Sequence, residues 1–199
     1  MTAPAETPAA RLAAAAPLGA GSWSWSREPS EWHSHEPGGL TWRCDGGSDF
    51  PRHTSSGAVK DDGNAYLTAV DGGADFVVSG HFDADLGEQY DQLGVLVYGS
   101  PERWLKAGAE LVGEVIASVV HTRGDSDSSV GTGLLPLVVR IERRSETVEV
   151  YAGRADTEAR LIRQLRFEGP VSVGPYSCAP QGEGFLATAT GFELAVEVP

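Results

Sequence analysis

The chain has little cysteine, little positive charge and no long apolar run. Two cysteines, Cys44 and Cys178, stand far apart among 199 residues, too few for a disulfide framework, and no Cys-x-x-Cys pair is present. They read as two buried thiols, with one long-range disulfide as the alternative in an exported protein. Basic residues number 15 against 28 acidic ones, a formal net charge of −13. Such a surface repels phosphate backbones and anionic membranes, which argues against nucleic acid and membrane as partners and for neutral or cationic ones. No stretch approaches the roughly 18 apolar residues of a membrane span. A Walker loop, a dinucleotide fingerprint and a Gly-x-Ser-x-Gly elbow are all missing from the sequence, so no cofactor is expected.

Glycine and proline are abundant, 25 and 12 residues, and fall between short apolar runs in a chain that is 41% hydrophobic. That pattern predicts an all-β chain rich in turns. The strand candidates are Gly39–Cys44, Ala65–Ala69, Asp75–Asp83, Gln92–Tyr98, Trp104–Leu111, Glu114–Thr122, Leu134–Arg143, Thr147–Ala152, Leu161–Phe167, Val171–Tyr176 and Phe185–Val198. Asp45-Gly46-Gly47, Asp71-Gly72-Gly73 and Gly124-Asp125-Ser126 read as turns, and Thr157–Gln164 leans towards helix. The Ala/Pro-rich residues 1–20 read as a disordered tail, not an export signal, so the expected location is cytoplasmic. Residues 21–199 then form one sandwich or jelly-roll domain of two antiparallel sheets.

Two neighbouring segments are the most informative. In Gln92-Leu93-Gly94-Val95-Leu96-Val97, Leu93, Val95 and Val97 share one face and Gln92 and Gly94 the other. In Trp104-Leu105-Lys106-Ala107-Gly108-Ala109-Glu110-Leu111, Lys106, Gly108 and Glu110 oppose the small and apolar residues. A Pro-containing turn joins the two, so they pair as antiparallel neighbours and bring Gln92, Lys106 and Glu110 to one surface.

The order of landmarks is similar to that of the DUF1349 family, which includes proteins named for regulation of enolase and is related to concanavalin A-like lectins and glucanases. The resemblance runs through Glu28-Pro29-Ser30-Glu31-Trp32, Ser48-Asp49-Phe50, Asp62-Gly63-Asn64 and Ala74-Asp75-Phe76. It is most specific at Tyr90-Asp91-Gln92-Leu93-Gly94 and the Trp-x-Lys-x-Gly-x-Glu segment that ends at Glu110. It implies a two-sheet jelly roll with a concave face and names no reaction. Two family features differ here. Pro51 follows Phe50 where an aromatic is common, and Gly124-Asp125-Ser126-Asp127-Ser128-Ser129 carries no Trp.

Alternation extends the polar face to Ser118, to Arg140 and Glu142, and to Glu149 and Tyr151, provided their strands lie in the concave sheet. Tyr90, Gln92, Lys106, Glu110, Ser118, Arg140 and Tyr151 are thus the candidate ligand-binding residues. Such a set can hydrogen-bond sugar hydroxyls while a tyrosine stacks on a ring. The plainer reading is a solvated face with ordinary ion pairs, Lys106 with Glu110 or Glu110 with Arg140. A glycosidase would need a second carboxylate across from Glu110, for which Glu142 and Glu149 are the sequence candidates. His33-Ser34-His35 lacks the further ligands zinc needs, and the Asp-rich turns match no EF-hand loop, so no metal is expected. Trp25, Trp32, Trp42 and Trp104 are assigned to core packing. The expected function is non-catalytic binding of a carbohydrate or other neutral polar small molecule. A regulatory module that binds a protein partner, a metabolic enzyme, is the alternative, and a glycoside-processing enzyme comes third.

Overall fold

The computed structural model describes residues 16–19, 21–35, 37–51 and 57–197. Fifteen strands follow one another: β1 (Ala16–Pro17), β2 (Trp23–Trp25), β3 (Trp32–His35), β4 (Gly39–Arg43), β5 (Asn64–Val70), β6 (Phe76–Ala84), β7 (Gln92–Ser100), β8 (Arg103–Val112), β9 (Glu114–Arg123), β10 (Asp125–Thr132), β11 (Leu137–Arg144), β12 (Thr147–Arg154), β13 (Arg160–Arg166), β14 (Val171–Cys178) and β15 (Leu186–Val196). No helix occurs among the described residues. One sheet runs β13-β12-β11-β6-β15-β4-β3 with β1 added on β15, and the other runs β10-β9-β8-β7-β14-β5-β2. Neighbouring strands pair antiparallel throughout both sheets. This is the all-β sandwich that the alternating runs predict.

The core lies between the sheets. Leu93, Val95, Val97, Leu105 and Ala109 meet Val78, Phe82, Val139 and Ile141 from the other sheet, all without solvent exposure. Leu111, expected with them, is only half-buried because it stands one residue before the end of β8. Trp42 crosses the core, its indole N–H donating to Ser177 Oγ at 2.8 Å. Arg143 is fully buried, and its guanidinium donates to Ala74 O and Gly169 O, tying two inter-strand loops to β11. A buried cation is tolerable when its donors are satisfied in this way.

Several local expectations are corrected. The segment Asp125–Thr132, read as a turn at its start, is a full strand paired with β9 along its length. Its Asp, Ser and Gly residues have poor strand propensity, but it is a polar edge strand, where ladder pairing outweighs propensity. The helix-leaning Thr157–Gln164 contributes most of its length to β13, which pairs with β12. Order also begins before residue 21. Ala16 and Pro17 pair with β15, and Leu18 is buried, its N–H donating to Phe192 O at 3.2 Å. Residues 1–15 and 20 of the expected tail, and residue 198 of the last strand, lie outside the described residues. Trp104 and Trp42 are core residues, whereas Trp32 sits at the edge strand β3, more than a third exposed.

Cys44 and Cys178 are both buried free thiols. Burial pushes the Cys44 thiol up to about 12, against smaller lowering contributions from Ser177 and Ser48. A pKa raised on folding favours the neutral thiol. Its contribution to stability is complete below the ordinary thiol pKa and is lost as pH climbs towards about 12. Native protein at pH 8 should therefore resist a thiol reagent at both cysteines and react at both once unfolded, read by mass shift. Rapid labelling of the native protein would contradict the described burial.

Candidate functional site

The register of β7 and β8 explains the paired motif. Gln92 stands opposite Glu110, Gly94 opposite Gly108, and Leu96 opposite Lys106. Lys106 in turn faces Val120 of β9, Gly108 faces Ser118, and Glu110 faces Ile116. Val130 and Ser128 of β10 extend the same rows beyond Ser118 and Val120. Directly opposed residues share a face, so these side chains form a grid on the outward face of the second sheet.

The two glycines are a geometric requirement. A Cβ on Gly94 would sit against the Ala107 carbonyl oxygen and 2.5 Å from Gly108 Cα. A Cβ on Gly108 would meet the Leu93 carbonyl oxygen and approach Gly94 Cα to 2.8 Å. No side chain fits between the strands there, so the floor dips between the Gln92–Glu110 row and the Leu96–Lys106 row.

Part of this outward face is covered. Residues 48–51, between β4 and β5, cover it and seat Phe50 against Trp104 and Tyr176, at ring separations of 6.1 and 6.4 Å. Ala65, Leu67, Leu96 and Cys178 complete this second apolar cluster. Asp49 N donates to Asp62 Oδ1 at 2.8 Å and Asp62 N to Asp49 O at 3.1 Å, which fixes the segment's ends to each other. Burial above all, with the negative charges of Glu110 and Asp49 adding to it, pushes the Tyr176 phenol well above its ordinary range, so it stays protonated.

Beside this cluster lies a groove of about 500 Å³. Gln92, Lys106, Glu110, Ser118, Ile116 and Val120 line its sheet side, Ser126, Asp127, Ser128 and Val130 the β10 side, and Asp49, Phe50, Pro51 and Ala58 the covering segment. Tyr90 and Val112 also line it. The size and mixed lining match those of small-molecule sites.

The polar groups have defined partners. Lys106, only 5% exposed, places Nζ 3.7 Å from Asp49 Oδ1 and 5.6 Å from the centre of the Trp104 ring. The expected Lys106–Glu110 pair is therefore replaced by one across to the covering segment. Glu110 is half-buried, with no ion-pair partner among the described residues. Gln92 is 3% exposed, and its Nε2 donates to Tyr90 O at 3.1 Å. That bond fixes the amide orientation and leaves Oε1 buried without a donor among the described residues. Tyr90 itself has a φ of 69°, a left-handed backbone rare for a bulky residue. Its N–H donates to Leu111 O, and the Asp91 carboxylate accepts from Gly87 N and Glu88 N, so the turn that holds this strain is well bonded. Strain of this kind gathers at functional sites.

Of the seven expected residues, Tyr90, Gln92, Lys106, Glu110 and Ser118 line one groove. Arg140 and Tyr151 do not. They stand opposite each other on β11 and β12 in the other sheet, with the guanidinium 4.9 Å from the ring centre. Glu142 and Glu149 share that sheet, so neither can sit across the groove from Glu110, and an Arg140–Glu110 pair is likewise ruled out. The other carboxylates at the groove are Asp49 and Asp127. Asp49 faces Lys106, and Asp127 pairs with Arg163 and lies 3.6 Å from His121 Nδ1. The β10 wall carried no apolar alternation that could reveal it. Asp49 was within reach, since it belongs to the Ser48-Asp49-Phe50 landmark. Among the described residues no group of three or more His, Cys, Asp or Glu is placed to hold a metal.

Fold and groove together define a concanavalin A-like β-sandwich with a mixed polar and apolar groove on one sheet. The chain belongs to the DUF1349 family, described as a protein of unknown function, whose pattern matches residues 25–196. It is 28% identical over 179 residues to "Regulation of enolase protein 1" of Saccharomyces cerevisiae, covering 86% of this chain and 88% of that protein. A crystal structure of a functionally unknown protein from Saccharomyces cerevisiae superposes with a TM-score of 0.81 at 26% identity, over 89% of this chain and 97% of that one. The GH43 protein BlXynB from Bacillus licheniformis matches with a TM-score of 0.69 at 16% identity, over 89% of this chain but only 37% of that one. At that identity the likeness concerns the fold alone.

Proposed function

We propose that the groove binds a carbohydrate or a similar neutral, hydroxyl-rich small molecule and carries out no reaction on it. The observation that carries this reading is the pair of acceptors on opposed positions of β7 and β8. Among the described residues Gln92 Oε1 has no donor and Glu110 no ion-pair partner. Buried acceptors call for donors, which hydroxyl groups supply. Lys106 and Ser118 add donors, Ile116, Val120 and Val130 offer apolar surface to a ring face, and Tyr90 is 41% exposed for stacking. The absence of catalysis is argued from the charges. Both carboxylates that accompany Glu110 at the groove are engaged by cationic side chains, Asp49 by Lys106 and Asp127 by Arg163, so neither is left free to serve as the second carboxylate of a glycosidase.

A glycan panel tests this. At least one neutral glycan should bind, and Gln92→Ala and Glu110→Gln should each weaken binding about tenfold or more, as expected when a buried hydrogen-bonding partner is removed. Undiminished binding in both variants would move the site elsewhere. Hydrolysis that disappears in Glu110→Gln would establish an enzyme instead. The second reading is a protein-interaction module that regulates a metabolic enzyme. It draws on the name of the yeast relative, which couples it to enolase. Co-purification with an enolase, unaffected by Gln92→Ala, would favour it.

A further inference from the structure

We infer that a second site, a slot where β8 and β9 of one sheet meet the end of β13 of the other, binds an oxyanion of the phosphate or sulfate class. The slot has a volume of about 70 Å³ and is lined by Arg103, His121, Arg123, Arg166, Phe167 and Glu168. Three guanidinium groups thus meet one carboxylate, in a chain whose net charge is −13. The volume is that of about two waters, enough for one tetrahedral oxyanion.

The cations of the slot crowd one another. Arg103 and Arg123 are directly opposed on β8 and β9 and share a face. Like charges at opposed positions destabilise a sheet. Arg103 is held in place from behind. Its guanidinium donates to Glu168 O and to Pro170 O and lies 5.3 Å from the centre of the Phe167 ring. Arg166 is positioned by Glu168, with Nε 2.7 Å from Oε1, and by Glu146. The Arg123 side chain makes neither a hydrogen bond nor an ion pair among the described residues. His121 adds a ring nitrogen, with Asp127 at 3.6 Å and the Phe167 ring at 5.9 Å. Of the acidic groups near the slot, Glu168, Glu146 and Asp127 are each already engaged by an arginine, and Asp125, opposite Arg123 in the β9–β10 ladder, makes no ion pair with it. Among the described residues that line the slot, Arg123 is therefore the cation with an uncommitted side chain, and a planar five-donor fork is suited to a tetrahedral oxyanion.

The test is a set of thermal melts at constant ionic strength with sodium chloride, inorganic phosphate, sulfate or a hexose phosphate. Phosphate should raise the melting temperature above the chloride control. Arg123→Gln should weaken the apparent affinity about tenfold or more, the loss expected of a hydrogen bond to a charged group. Arg140→Gln, on the outward face of the other sheet, should leave it unchanged. In buffer free of phosphate and sulfate Arg123→Gln should melt close to wild type, because the like charge of Arg103 on one side and the opposite charge of Asp125 on the other offset each other; a structural role for Arg123 would lower it markedly. A stronger effect of hexose phosphate than of inorganic phosphate would identify an esterified phosphate as the occupant, and equal effects the free ion. No shift beyond chloride, or an undiminished shift in Arg123→Gln, would overturn the site.

Discussion

Val95→Asp should lose about 4 kcal/mol or more, the range that marks a charge forced into a packed interior. For a chain of this size that is a fall in melting temperature of roughly 10 °C or more. Val95 has no solvent exposure and lies among the residues packed between the two sheets. Its neighbours there are aliphatic and aromatic, so the carboxylate has nothing to pair with. Leu186→Asp is the matched control. Leu186 is 55% exposed at the start of β15, and the same change there should stay within about 0.5 kcal/mol. Equal melting of the two variants would mean that the face assignment of β7 is wrong by one residue, since such a slip exchanges the faces.

The second large effect is expected at the glycine pair. Gly108→Ala should cost about 3 kcal/mol, because the new methyl group overpacks a site closed by backbone atoms that cannot turn aside. It would press on the Leu93 carbonyl oxygen and on Gly94 Cα. Gly131→Ala on β10 is the comparison, since its Cβ would meet only Ile162 Cγ2, at 4.0 Å. That change should be neutral or slightly stabilising, as glycine weakens a strand interior. Denaturant melts of both variants give the two values directly. Gly108→Ala should also perturb the groove, because widening the β7–β8 spacing moves Gln92 away from Glu110. A Gly108→Ala protein as stable as Gly131→Ala would show that the strands do not approach as described.

These two residues also show what the sequence could reveal and where it fell silent. Alternation placed Val95 inward and Gln92, Lys106 and Glu110 together, because the turn between β7 and β8 is short and the pairing local. Arg140 and Tyr151 alternate just as cleanly but belong to the other sheet, where β11 pairs with β6 and β12. A period of two reports which face of its own sheet a residue occupies, not which sheet that is. Only the long-range pairing decides the second question. The wall formed by Ser126, Ser128 and Val130 was hidden for a different reason. A polar edge strand has no apolar period to read, and its place is set by backbone bonds to β9. Phe50 presents a third case. Leu96 lies on the outward face yet is fully buried, because a distant segment folds over it. The arginine slot draws on β8, β9 and the end of β13, three places with no common spacing.

The central claim is that the groove beside β7, β8 and β9 binds a hydroxyl-rich ligand without cleaving it. The most direct measurement is amide chemical-shift mapping of the isotope-labelled protein during titration with the glycan that the panel selects. The account predicts that the largest shifts fall on Gln92, Lys106, Glu110, Ser118 and the β10 residues Ser128 and Val130, with the glycan intact at the end of the titration. Shifts centred on Arg140 and Tyr151, or a glycan that is consumed, would contradict it.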